Sequence, residues 1–223
     1  EVLGNAAMAV IANKDRLAYL ESLTSGATIR RTGFVDVMSV AGSLAMSAVI
    51  LKQMPSIEHA ICPPWVAPMH SYAVREPIGV CAGITPWNFP MILAAYKFAP
   101  ALAMGNSIVM KPASITPVTT LELAKILFDA GLPPGVFNVV TGPGSSMGNY
   151  LVSHPEVDKI GFTGSTEVGR QIAHLAADGI KRVTLELGGK SPLIVLDDAD
   201  IEMASSMTLL AFLTHSGQVC ESG

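Results

Sequence analysis

Three stretches in the last third of this 223-residue chain carry residue types that can do chemistry. Gly161-Phe-Thr-Gly-Ser-Thr-Glu-Val-Gly169 runs from the end of an apolar segment into a helical one. Gly164 permits a close turn there, and Ser165 and Thr166 bring hydroxyls and N–H groups to a helix N-terminus, where a phosphate is favoured. Its GxxGxxxxG spacing is not the common dinucleotide fingerprint, and alone it fits a plain strand–helix turn equally well. Glu186-Leu-Gly-Gly-Lys190 sets one carboxylate in an apolar strand before two glycines. Such a group either faces solvent or is half-buried with a raised pKa, suited to activating water. Gly217-Gln-Val-Cys220 places a thiol in a small polar loop after a helix, a setting that favours a nucleophilic thiolate.

Upstream positions fit the same chemistry. Thr141-Gly-Pro-Gly144 is a second glycine turn that opens a helix, and it reads as lying on a strand adjacent to the first. Two such turns side by side favour a dinucleotide. Lys111 ends a strand before Pro112, where an amine can bond ribose or phosphate, or simply be an exposed lysine. Asn88 lies in the uncharged loop Thr85-Pro-Trp-Asn-Phe-Pro90, where its amide can donate to a developing oxyanion or bond its own backbone.

These residues require elements to hold them. Val2 to Ser22 and Thr32 to Met54 read as helices, broken at Ser25-Gly26 and ended by Pro55. Proline-rich 55–76 reads as a β-hairpin arm, with Glu58–Cys62 pairing His70–Val74. From Pro77 strands and helices alternate: strands at 78–84, 107–110, 137–141, 159–163, 182–187 and 191–196, and helices at 89–104, 117–130, 145–154, 166–177 and 201–214. Asp200 is a candidate N-cap for the last helix, which accounts for the acidic cluster around it without a metal. Continuous apolar strands alternating with helices indicate an α/β, Rossmann-like parallel sheet with helices on both faces. Ligands on such sheets bind at the strands' carboxyl ends, where the residues above fall. The divisions are 1–54 (N-terminal helices), 55–76 (arm), 77–189 (dinucleotide-binding α/β domain) and 190–223 (start of a further domain).

Composition narrows the classes. Half the residues are hydrophobic, 14% are charged and the net charge is −4, with no basic run, so no nucleic-acid partner is expected. Arg30-Arg31 and Lys181-Arg182 read as solvated pairs, and His59 and His70 as surface histidines. Three unclustered cysteines are neither a disulfide framework nor a zinc site, which suits a reducing, cytoplasmic-type compartment. Cys62 and Cys81 read as buried hydrophobes. The uncharged stretch 77–96 is broken by Pro86, Asn88 and Pro90, so a membrane span of ~20 apolar residues is not expected. The N-terminus shows no signal-peptide pattern and no initiator Met, and the chain reads as the N-terminal portion of a longer frame.

With Trp87-Asn-Phe-Pro, Lys111-Pro-Ala-Ser, the Gly161–Gly169 turn, Glu186-Leu-Gly-Gly-Lys and Gly217-Gln-Val-Cys in this order, the chain resembles the aldehyde dehydrogenase superfamily. The resemblance implies that Cys220 is the nucleophile that forms a thiohemiacetal and then a thioester. It implies that Asn88, with the Cys220 N–H, holds the oxyanion, and that Glu186 is the base that activates water. It further implies an NAD or NADP site. Ile84, Thr85, Pro86 and Trp87 would line it after the first strand, and Lys111, Ala113 and Ser114 would hold the adenosine ribose. Gly142 and Gly148 would border the groove, Gly164, Ser165 and Val168 of the 164–169 turn would contact the pyrophosphate, and Phe162, Thr163, Glu186, Leu187 and Gly188 would also bind the cofactor. No metal is implied. The substrate would be an aldehyde and the full-length form a homo-oligomer.

Three details refine this. Coenzyme-A-acylating relatives commonly lack the glutamate, so Glu186 favours release by water. Strict NAD enzymes often have Glu where this chain has Ser114, so NADP should be tolerated or preferred. The family usually has other residues where His215-Ser216 stand, and its members are much longer than this chain. Two rival readings stay open. One is an inactive nucleotide-binding or assembly module. The other is a cysteine hydrolase with His215 as base to Cys220.

Overall fold

The computed structural model describes residues 1–59 and 70–222. Cys62, the prolines at 63, 64 and 68, and Trp65 lie outside the described residues.

Two helices open the chain, α1 (Val2–Ala12) and α2 (Lys14–Ser25). The single helix expected over 2–22 is split because Asn13 turns back, its side-chain amide and its N–H both reaching the Ala9 carbonyl. Helix α3 follows (Ile29–Gln53). It contains a π-turn at Thr32–Asp36, where the backbone takes one residue more per turn than an α-helix. By length and composition α3 could cross a bilayer, but Val37, Val40, Ala41 and Leu44 bury one face of it in the core. Strands β1 (Ile57–His59) and β2 (Tyr72–Val74) pair antiparallel, while residues 60–62 of the expected first strand lie outside the described residues.

The main sheet has five parallel strands: β3 (Val80–Ile84), β4 (Ser107–Lys111), β5 (Phe137–Val139), β6 (Lys159–Thr163) and β7 (Arg182–Glu186), in the order β5-β4-β3-β6-β7. The crossovers are α4 (Pro90–Ala103), α5 (Val118–Asp129), a π-turn at Gly144–Gly148 leading into α6 (Asn149–Ser153), and α7 (Thr166–Ala177). The chain starts in the middle and winds outward both ways, so the connection direction reverses between β3 and β6. Sheets of this kind take their ligands at the carboxyl edge of such a reversal.

Each face of the sheet has its own core. On one, Met91, Phe98, Leu123 and Leu127 from α4 and α5 pack on Cys81, Ile108 and Met110, with α1 and α3 outside them. On the other, Ile160 and Phe162 pack against Leu151, Val152, Ile172 and Ala176 of α6 and α7. Cys81 is buried as expected, and His70 is exposed.

Some expectations fail. Residues 191–196 form no strand: this apolar run is exposed and outside the sheet. The following helix α8 (Ile201–Leu213) is capped as expected, with Asp200 Oδ1 accepting from the Met203 N–H at 3.1 Å. Lys181 is not simply solvated, because its amine donates to the carbonyls of Val152 and His154 at the end of α6. Arg31 is not solvated either; it forms a buried ion pair with Asp36.

Candidate active site at the carboxyl edge of the sheet

The candidate residues gather along one edge. Ile84, Lys111, Thr163 and Glu186 are the last residues of β3, β4, β6 and β7. The register sets Ile84 opposite Lys111 on one side and Phe162 on the other, and Thr163 opposite Glu186. The glycine turn at Thr141–Gly144 follows β5, so it is not adjacent to the Gly164 turn; β4 and β3 lie between them. Sequence alone carries no strand order, and the two turns flank a groove instead of sharing one.

On the β5 and β4 side, Gly142 takes φ +151°, a conformation that L side chains rarely adopt. Its carbonyl accepts the Ser114 hydroxyl at 2.7 Å, which ties the β4 and β5 loops together. Lys111 is buried, not exposed, and burial lowers its pKa. Its ammonium has three donors and makes one hydrogen bond, to the Pro112 carbonyl at 3.1 Å. Gly148 lies against its aliphatic stem, where a side chain would come within 3.8 Å.

On the β6 and β7 side, Ser165 caps α7, its hydroxyl accepting the Val168 N–H at 3.3 Å. Gly164 donates its N–H to the Glu186 carbonyl at 3.0 Å. A Cβ there would fall 2.5 Å from the buried Phe162 ring, so the turn can follow β6 this closely only as glycine. Leu187 packs beside Gly169, and Gly188 continues the chain along the edge. A buried amine with donors to spare, a glycine turn and a capped helix N-terminus along one edge fit a dinucleotide: ribose hydroxyls at Lys111, phosphates at 164–168.

Between these sides lies the β3 loop, with Thr85 buried, Pro86 half-buried, Trp87 exposed and Asn88 half-buried. The Asn88 amide does not bond its own loop. It donates to the main-chain carbonyl of Gln218 at 2.8 Å, across 130 residues of sequence. Gly189 comes close to the Cys220 loop, where a Cβ would lie 3.0 Å from the Cys220 carbonyl. The thiol of Cys220 is free and exposed. Glu186 is likewise exposed, so the solvent-facing alternative holds.

Two features have no sequence motif. Lys97, on α4 behind β6, donates to the Thr163 hydroxyl at 2.5 Å. Burial lowers its pKa to about 8, against the nearby Glu186 carboxylate, which raises it. The available signal was its place as the first charge after the uncharged stretch 77–96. His215 lies against Trp87 and Phe89 (centroids 6.2 and 5.6 Å apart), with Nε2 buried and unpartnered. Among the described residues no group of three or more His, Cys, Asp or Glu side chains is placed to hold a metal ion.

A parallel α/β sheet thus carries a buried amine, two glycine turns, an amide and a thiol loop at its carboxyl edge. The whole chain, residues 1–223, matches the sequence pattern of the aldehyde dehydrogenase family, and it belongs to that family. It is similar to the betaine aldehyde dehydrogenase of Staphylococcus aureus solved with NAD+ (37% identity, TM-score 0.94), covering 100% of this chain and 43% of that one. It is also similar to an NADP-dependent enzyme of E. coli (41%, TM-score 0.94, 98% and 45% covered) and to PnpE in complex with nicotinamide adenine dinucleotide (40%, TM-score 0.94, 100% and 45% covered). The chain spans less than half the length of these solved relatives.

Proposed function

We propose that the protein oxidises an aldehyde to a carboxylic acid with NAD or NADP, through covalent chemistry at Cys220. The observation that carries this reading is the 2.8 Å hydrogen bond by which Asn88 reaches the Cys220 loop, above a sheet edge that also carries Glu186. The Cys220 thiolate adds to the aldehyde carbon, and the carbonyl π pair moves onto oxygen. The Asn88 amide and the Cys220 N–H receive that oxyanion. The dinucleotide, when bound, supplies the hydride acceptor. As the oxyanion collapses, hydride leaves the carbon, the C=O bond re-forms and a thioester remains on Cys220. Glu186 takes a proton from water, hydroxide adds, the C–S bond breaks and the thiolate departs from the acid.

Lys111 and Ser114 would hold the adenosine ribose and residues 164–168 the pyrophosphate. Solved relatives that bind NAD+ and one that depends on NADP support either cofactor. Residues 190–223 are proposed as the start of a catalytic domain, and the β1–β2 arm, with exposed Ile57 and Val74, as an assembly element of a homo-oligomer. The free thiols suit a reducing, cytoplasmic-type compartment.

The test is reduced-nicotinamide formation from a panel of aldehydes, using the protein expressed from its complete reading frame. Turnover lost in Cys220→Ser supports the reading. Cofactor binding without turnover replaces it with a nucleotide-binding module. Ester cleavage that depends on His215, with no dehydrogenation, replaces it with a hydrolase; the packing of His215 against two aromatic rings favours a structural role.

A further inference from the structure

Beneath the Asn88 loop lies a buried charged cluster that the reaction above does not use. Asp36 and Glu21 are fully buried, and the Arg31 side chain is 9% exposed. Arg31 Nη2 donates to Asp36 Oδ2 at 2.9 Å and to the Asn88 carbonyl at 3.4 Å, which uses both of its hydrogens. The guanidinium also lies over the Phe89 ring, 4.2 Å from its centroid. Glu21 holds the other end of the same loop: it accepts the Met91 N–H at 3.0 Å, in the first turn of α4, and the Thr119 hydroxyl at 2.6 Å.

Burying such a group is costly unless something is gained by it. Here the cation is clamped by Asp36 from below and spent upward on the carbonyl of one residue and the ring of the next. The direction of a side chain follows from its backbone, and Asn88 lies in a loop without the ladder bonds of the strand before it. We propose that Arg31 is the positioning residue for Asn88: held by Asp36, its Nη2 ties down the Asn88 carbonyl while the guanidinium lies over the Phe89 ring, and so it aims the Asn88 amide at the Cys220 loop. Phe89 also packs on His215, so the stack runs from Arg31 to the loop that ends in Cys220.

This inference rests on the reading of Asn88 as the oxyanion donor, and the experiment separates the two. In the protein expressed from its complete reading frame, kcat with propanal and NAD is measured for Arg31→Lys, for Arg31→Met paired with Asp36→Asn, for Asn88→Ala, and for Asn88→Ala combined with each. Lysine keeps a charge beside Asp36 but lacks the flat guanidinium that covers the Phe89 ring. The paired variant leaves no buried charge alone. Asn88→Ala should lower kcat about 10²–10³-fold; if it leaves kcat unchanged, the reading of Asn88 fails. The Arg31 variants should lower kcat about 10–100-fold with the KM for NAD unchanged, as expected for a donor misplaced by about an ångström. In the Asn88→Ala background they should cost nothing further. Hydrogen exchange across 87–91 should quicken in both Arg31 variants, a readout independent of turnover. Arg31 variants with wild-type kcat and exchange, or losses that add fully to that of Asn88→Ala, overturn the positioning role.

Discussion

The amide nitrogen of Asn88 stands 2.8 Å from the carbonyl oxygen of Gln218, two residues before Cys220. The group proposed to receive an oxyanion therefore already bonds a neutral oxygen beside the thiol. A donor that holds its place before reaction loses little in reorganising when charge develops. Asn88→Asp turns this donor into an acceptor facing the Gln218 carbonyl. We expect a larger loss of kcat than for Asn88→Ala, with unchanged cofactor binding, measured by steady-state kinetics and nucleotide titration.

Glu21 makes stability pH-dependent. Burial pushes its carboxyl from 4.5 to about 7, with a smaller push from Asp36, against the Thr119 hydroxyl, the Met91 N–H and Arg31. Between those values the folded chain holds a proton that the unfolded chain has released. The contribution is full below pH 4.5 and is lost as pH rises through 7, about 3 kcal/mol in all. Glu21→Gln can still accept the Met91 N–H, so its melting temperature should gain on the wild type as pH rises from 4.5 to 7. Parallel melting curves across that range would refute the assignment.

Lys97 titrates near pH 8 beside Glu186. Below that value Lys97 is a cation at the sheet edge, on the Thr163 hydroxyl; above it that positive charge is gone. Single-turnover acid release should show an inflection near pH 8 that Lys97→Met removes. An unchanged profile in the variant would separate Lys97 from the base.

Ser114 is exposed at the end of β4, its hydroxyl on the Gly142 carbonyl. A glutamate there would face a 2′-phosphate. The protein should accept NADP, and Ser114→Glu should raise the KM for NADP over that for NAD by about tenfold, the size of a repulsion between nearby like charges at a protein surface. A strong NAD preference in the unaltered protein would contradict this.

The edge of the sheet was legible because apolar runs alternating with helical ones leave little choice of fold, and because the polar exceptions fall where strands end. Strand order was not: nothing in Thr141–Gly144 says which strand its own strand will pair with. The run 191–196 shows the converse, as apolar character permits a strand without supplying a neighbour to pair with. The buried cluster was hidden for a different reason. Arg31 beside Arg30 reads as a solvated pair until Asp36, Asn88 and Phe89 are brought to it, and nothing in the sequence marks Glu21 until Thr119 closes over it.

The π-turn at Thr32–Asp36 carries a genetic consequence. Arg31 and Asp36 are five residues apart, which on a regular helix at about 100° per residue leaves them on different faces. The wider turn brings them together, so it acts as a one-residue spacer. Inserting one residue between them would set them six positions apart, keep both charges in the chain and swing one away from the other. The arginine would lose its anchor without being mutated. In this protein, the aim of an amide at the sheet edge depends on the reading-frame length of a helix more than fifty positions earlier.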